Sequence, residues 1–161
     1  MGFHSPSGGG GTTVHLIHIR EEQAQNTQSG TFTTGAWRTR VLNTEVTDTG
    51  SLASLASNQI TLAAGSYEVF AWVPAYQVDR HQCRLYNITD TAVILYGRSG
   101  YAPNASAIND ISLLQGYFTL AAQKVIELQH SCATTFANQG FGLEGNQATE
   151  VYASIVLKQY S

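Results

Sequence analysis

The sequence predicts an all-β sandwich. Apolar and polar residues alternate with period two in short runs, and helical periodicity is nearly absent. Gly, Asn, Asp and Pro interrupt the runs at short intervals, as turns between strands do. A chain of 161 residues falls in the size range of one domain and is long enough to bury a core.

Taken in order, Met1–Gly11 shows neither the charged-then-apolar layout of a secretory signal nor a myristoylation pattern, because Pro6 stands at the Ser/Thr position. Residues 1–13 read as a flexible Gly-rich linker or remnant and residues 14–161 as a single sandwich domain. His15–Glu21 alternates, with His15, Ile17 and Ile19 on one face and Leu16, His18 and Arg20 on the other; Trp37–Leu42 follows a Thr-Gly turn signal, and Ile60–Leu62 is a short strand candidate. Tyr67–Val73 lies between Gly65 and Pro74. Val78–Tyr86, Val93–Tyr96, Ile111–Leu120, Val125–Cys132 and Val151–Leu157 complete a set of about nine strands, the number of a sandwich or barrel. Leu52–Ser57 reads as a helical turn, and Gly97–Asn109 as the longest loop.

Composition narrows the function. Charged residues are 12% of the chain, about half the usual share, so Thr, Ser, Asn, Gln and Gly must build the surface. The net charge is −3 and the basic residues are scattered singly, which argues against nucleic acid as a partner. No apolar run approaches the ~20 residues that cross a bilayer as a helix, so membrane insertion is not expected.

Two strands carry apolar residues on both faces, which a sheet with one wet face should not. In Tyr67–Val73 one face holds Tyr67, Val69, Ala71 and Val73, and the other Phe70 and Trp72. In the last strand Val151, Ala153, Ile155 and Leu157 oppose Tyr152, Val156 and Tyr160. Left in water, Phe70, Trp72 and Tyr152 would expose roughly 500 Å², on the order of 10 kcal/mol per chain as an upper figure. Either a long loop covers this face or the chain self-associates; the sequence favours self-association.

These residues resemble a family. Gly65-Ser66-Tyr67-Glu68-Val69-Phe70-Ala71-Trp72-Val73 is similar to a characteristic strand of the C1q/TNF-like jelly rolls. Phe118-Thr119-Leu120 with Lys124-Val125-Ile126-Glu127-Leu128 resembles a strand pair of that family, with Ala122-Gln123 replacing the usual Gly-Asp turn. Glu150–Leu157 resembles the closing strand, whose aromatic lies at a threefold axis in that family. The likeness spans about Phe32 to Tyr160 and implies an antiparallel jelly-roll sandwich that forms a homotrimer. On that likeness the trimer interface would include Phe70, Trp72, Leu113, Tyr152 and Val156. Gly35–Thr44 and His81–Asn87 resemble modules at bacteriophage tail-fibre tips. The resemblance therefore implies a non-enzymatic fibre module, in a virion or extracellular, that binds a cell-surface glycan or protein receptor or caps the trimer. A secreted C1q/TNF-like recognition or signalling ligand is the alternative, and a glycan hydrolase a remoter one. Tyr101 and Asn104, in the expected loop, are the candidate ligand contacts.

The chemical candidates are few. His81-x-Cys83 and His130-x-Cys132 each put two metal-type ligands on one face of a strand. The implied topology assigns these strands to opposite sheets about 10 Å apart, so neither a metal site nor a disulfide is expected, and no cofactor. His15 and His18 point to opposite faces. Asp79, Asp90, Asp110, Glu127 and Glu144 are available for glycoside hydrolysis, but nothing groups them. Gln-, Asn- and Gly-rich Ala137–Asn146 adds a polar loop able to meet a sugar.

Overall fold

The computed structural model describes residues 11–161, so most of the expected linker lies outside the described residues. Eleven strands form two antiparallel sheets: β1 (Val14–Gln23), β2 (Arg38–Thr39), β3 (Thr44–Asp48), β4 (Ala53–Ala56), β5 (Gln59–Leu62), β6 (Gly65–Tyr76), β7 (Asp79–Asn87), β8 (Ala92–Ala102), β9 (Asn109–Leu120), β10 (Lys124–Cys132) and β11 (Glu150–Tyr160). One sheet runs β3-β1-β11-β6-β9; the other runs β4-β5-β10-β7-β8, with β2 added beside β10. This is a jelly roll, and the sequence expectation of an all-β antiparallel sandwich holds.

Alternation sets the core. Ile17, Ile19, Tyr67, Val69, Ala71, Leu114, Ile155 and Leu157 from the first sheet pack against Ile60, Leu62, Cys83, Leu85, Ile126 and Leu128 from the second. A smaller cluster of Phe32, Ala75, Val78, Ala102 and Cys132 fills the end of the sandwich away from Thr13 and Ser161, with Phe136 and Phe141 against it.

Pro74 lies inside β6, a central strand, where a missing N–H is normally costly. The ladder between β6 and β11 ends at Trp72 opposite Ser154, so Pro74 faces no β11 partner. Its carbonyl instead accepts from Arg40 Nη1 at 3.0 Å.

Two expectations are corrected. Leu52–Ser57 is not a helical turn: β4 and β5 form a hairpin around Ser57 and Asn58, with φ of 51° and 64°. Two left-handed residues suit the twist of a two-residue hairpin, and Ser-Asn is a weak signal beside Asn-Gly. Gly97–Asn109 is not one long loop either, because β8 continues to Ala102 and only residues 103–108 connect it to β9. Its glycines serve close packing. A Cβ on Gly97 would stand 2.8 Å from Leu113 O, and one on Gly100 2.5 Å from both His81 Nε2 and Asp110 Oδ2.

Candidate functional site

The outward face of the first sheet can be read in rows. Arg20, Ser154, Trp72 and Leu113 lie side by side across β1, β11, β6 and β9. The next row is His18, Val156, Phe70 and Gln115, and the third is Leu16, Lys158, Glu68 and Tyr117. Phe70 is 43% exposed, Leu113, Leu16, Ile111, Tyr117 and Tyr160 are exposed too, and Trp72 and Val156 are half-buried. Polar groups frame the patch: His18 Nε2 lies 2.9 Å from Ser154 Oγ, and Tyr160 Oη donates to Glu68 at 2.8 Å. A depression of about 620 Å³ opens between Phe70, Gln115, Tyr117 and Tyr160. The sequence reading found Phe70, Trp72, Leu113 and Val156 for this face. It missed Ile111 and Tyr117, although both share the parity of Leu113 in β9.

Tyr152 is the exception. It projects from the same face of β11 but is only 2% exposed, because the chain itself covers it. Its hydroxyl donates to Thr27 O at 2.6 Å, and a Cβ on Gly142 would touch its ring at 3.0 Å. The covering-loop alternative thus applies to this end of the face, and Tyr152 is withdrawn from the exposed set. The cover is tied down at several points. Ser29 Oγ donates to Gly142 O at 2.7 Å, and the Glu150 carboxylate collects the N–H groups of Gly145, Asn146 and Asn26 at 2.8, 2.8 and 3.3 Å. Much of the polar 137–146 stretch is therefore engaged in this cover.

Behind the cover lies Arg40, to which the sequence reading gave no role within Trp37–Leu42. It is fully buried, with Nη2 2.9 Å from Phe141 O and 3.5 Å from Glu21 Oε2, and its guanidinium 4.4 Å from the Phe141 ring. Burial lowers its pKa to about 10 against the pull of Glu21, while burial raises the Glu21 carboxyl.

The two His-x-Cys pairs are not in opposite sheets. β7 and β10 are neighbours, with His81 opposite Cys132 and Cys83 opposite His130. A topology assumed from short motifs misplaced them; the register is set by long-range pairing that two-residue spacing does not encode. Each thiol has its own partner: Cys83 Sγ accepts from Ser112 Oγ at 3.2 Å, and Cys132 Sγ donates to Thr134 O at 3.3 Å. Burial raises both, Cys132 to about 11, so neither is an activated nucleophile. Among the described residues no group of three or more His, Cys, Asp or Glu is placed to hold a metal ion.

The histidines form a chain instead. His81 Nδ1 and His130 Nε2 are 3.0 Å apart, and His81 Nε2 faces Asp110 Oδ2 at 3.2 Å, although too poorly aligned for a hydrogen bond. Of His81 Nδ1 and His130 Nε2 one donates and the other accepts, so only one of the two carries a proton, and His130 Nδ1 is buried without a partner. Burial lowers both imidazoles, His130 well below the ordinary value, with Arg40 adding to the effect. Partial burial would raise Asp110, but the N–H groups of Ile111 and Tyr101 and the charges around it hold it below the ordinary value.

Tyr101 and Asn104 part company. Tyr101 sits in β8 opposite Arg80, exposed on the outward face of the second sheet. Asn104 is in the 103–108 connection, where its N–H donates to Asp79 Oδ1 at 3.0 Å. The other carboxylates also have separate partners: Asp90 meets Lys124 at 2.7 Å, Glu127 accepts from Gln59 and Thr39 at 2.8 Å each, and Glu144 accepts from Gln139 at 2.8 Å.

No family model and no curated protein sequence matches this chain. Solved structures do match over nearly its whole length. The Eiger TNF structure from S. frugiperda has a TM-score of 0.60 at 14% identity, covering 92% of this chain and 93% of that one. Murine APRIL has a TM-score of 0.59 at 10% identity, covering 91% and 99%. The globular domain of zebrafish complement 1qA has a TM-score of 0.50 at 10% identity, covering 89% and 94%. The fold is a C1q/TNF-like jelly roll.

Proposed function

We propose that this domain is a non-enzymatic, homotrimeric binding module, joined to the end of a viral fibre and displaying a receptor-binding surface. The observation that carries the trimer is the apolar band formed by Phe70, Trp72, Val156 and Leu113 on adjacent strands, which the chain's own loops leave open. A patch of this kind on an isolated domain marks an association surface, and three copies about one axis bury it without leaving an open edge. The low charge and the Gly-rich segment before β1 support the fibre setting, as does the sequence likeness of Gly35–Thr44 and His81–Asn87. The animal TNF and complement structures sharing the fold favour a second reading, a secreted recognition or signalling ligand. Neighbouring genes separate the two: virion structural genes support the fibre, and an animal locus supports the ligand.

Light scattering tests the assembly. The expected mass is three chains, and Phe70→Asp, which introduces three unpaired charges at a desolvated axis, should give monomers or a far lower melting temperature. A wild-type monomer at micromolar concentration, or a Phe70→Asp trimer of unchanged stability, overturns this assignment of the interface.

A further inference from the structure

The sheet facing away from the apolar band carries a different surface. Along β7 and β8, Arg80 lies opposite Tyr101, Gln82 opposite Ser99 and Arg84 opposite Tyr96. Between this strip and Trp37 runs a groove of about 380 Å³ lined by Trp37, Arg80, Gln82, Ser99 and Ser131. The indole is held in place: the Arg84 guanidinium lies 4.1 Å from the Trp37 ring and 4.4 Å from the Tyr86 ring, and Arg84 Nε donates to Gln129 Oε1 at 2.8 Å. Gln82 Nε2 is committed to Gly97 O at 2.9 Å, which leaves its carbonyl oxygen to accept. The ion pairs of the described residues engage Arg20, Arg40, His81, Arg98, Lys124 and Lys158, so Arg80 and Arg84 have no carboxylate partner. In a chain of net charge −3, they are two cations without an ion-pair partner, Arg80 on the wall of the groove and Arg84 stacked on Trp37.

We propose that this groove binds an acidic saccharide unit. Its carboxylate is met by the Arg80 guanidinium, whose planar fork matches it, with Arg84 adding charge. The C–H face of the sugar ring lies on Trp37, and its hydroxyls meet Ser99, Ser131 and the Gln82 carbonyl. Tyr101, beside Arg80, forms the rim. The groove's volume, and a lining that sets an indole beside an exposed guanidinium and two hydroxyls, fit one or two sugar rings. This rests on the reading of the domain as a binding module and moves the contact from the expected Gly97–Asn109 loop onto the sheet. Because the groove is built within one chain, its occupancy does not depend on assembly.

The test titrates sialyllactose and digalacturonate, with lactose as the neutral control, into the intact protein by calorimetry and saturation-transfer NMR. Light scattering is run on the same samples. At least one acidic saccharide should bind, with lactose weaker by about tenfold or more, the value of one charge-assisted pair. Arg80→Gln should erase that preference without changing mass or melting temperature, since Arg80 is exposed. Trp37→Ala should lose binding of both kinds. No acidic saccharide bound by folded protein, or equal binding by Arg80→Gln and wild type, overturns the inference even if the protein is a trimer. Saccharide binding by a monomer supports the groove while refuting the assembly.

Discussion

Arg40 sits in the interior with its guanidinium divided among Pro74 O, Phe141 O and Glu21, and the Phe141 ring lies close by. It joins β6 to the covering loop, so it holds the end of the sandwich to which β7, β8 and β10 also lead. Arg40→Ala leaves Glu21 buried without its counter-charge and should cost about 3–5 kcal/mol, read as a lowered urea midpoint. Pairing it with Glu21→Leu removes the orphaned charge, and the double variant should recover part of the loss. An unchanged midpoint for Arg40→Ala would show that this end contributes little to stability. None of this was legible in the sequence, where nothing in Arg-Thr-Arg between Trp37 and Leu42 marks one arginine as the partner of a distant buried carboxylate. Phe70 and Tyr152 make the same point from the other side. Alternation put both on the outward face, but only the path of distant loops decides which one is covered.

Among the elements, the β4–β5 hairpin turns on Asn58, which holds a left-handed backbone and accepts from Leu42 N at 3.3 Å. Asn58→Gly keeps the left-handed backbone and loses only the acceptor for Leu42 N, a cost of about 1 kcal/mol, while Asn58→Val should cost about 1–3 kcal/mol more because a β-branched residue resists that conformation. Equal stability of the two variants would place the turn elsewhere. The β7–β10 ladder carries a pH dependence. His81 and His130 have pKa values below the ordinary 6.5, so the unfolded chain binds more protons than the native one once the pH falls below that value. Their contribution is complete above about pH 7 and declines as acid is added through the 6.5 to 5 range. Melting temperature should therefore fall across that interval, and His130→Gln should flatten the decline. A wild-type curve that stays level to pH 5 would contradict the buried neutral pair. Strand identity was largely visible from alternation, whereas the pairing of β7 with β10 was not, because it joins residues some fifty positions apart.

At the scale of the molecule, the sandwich class was readable because period-two patterning survives in nearly every long strand. The cover over Tyr152 was not, because its residues are aperiodic and are held by hydrogen bonds and stacking to partners distant in sequence. If three copies meet through the Phe70 face, the three Trp37 grooves lie on the outside, and a clustered surface glycan can engage several at once. Avidity should then exceed single-site affinity by ~10²–10⁴, measured as slower release from a densely coated than a sparsely coated surface. Equal release from both surfaces would mean that one groove acts at a time. Strand direction adds a mechanical consequence. Thr13 and Ser161 exchange hydrogen bonds at 2.8 and 3.0 Å, so the start of β1 and the end of β11 lie at one pole, while the groove opens near the other, where β7 begins and β8 ends. A pull between the segment leading into β1 and a ligand held in the groove loads β1 lengthwise. β1 is flanked by β11 and β3, and its hydrogen bonds to both run across the line of force. They must therefore rupture together rather than peel apart one by one, which suits this domain to holding on under tension.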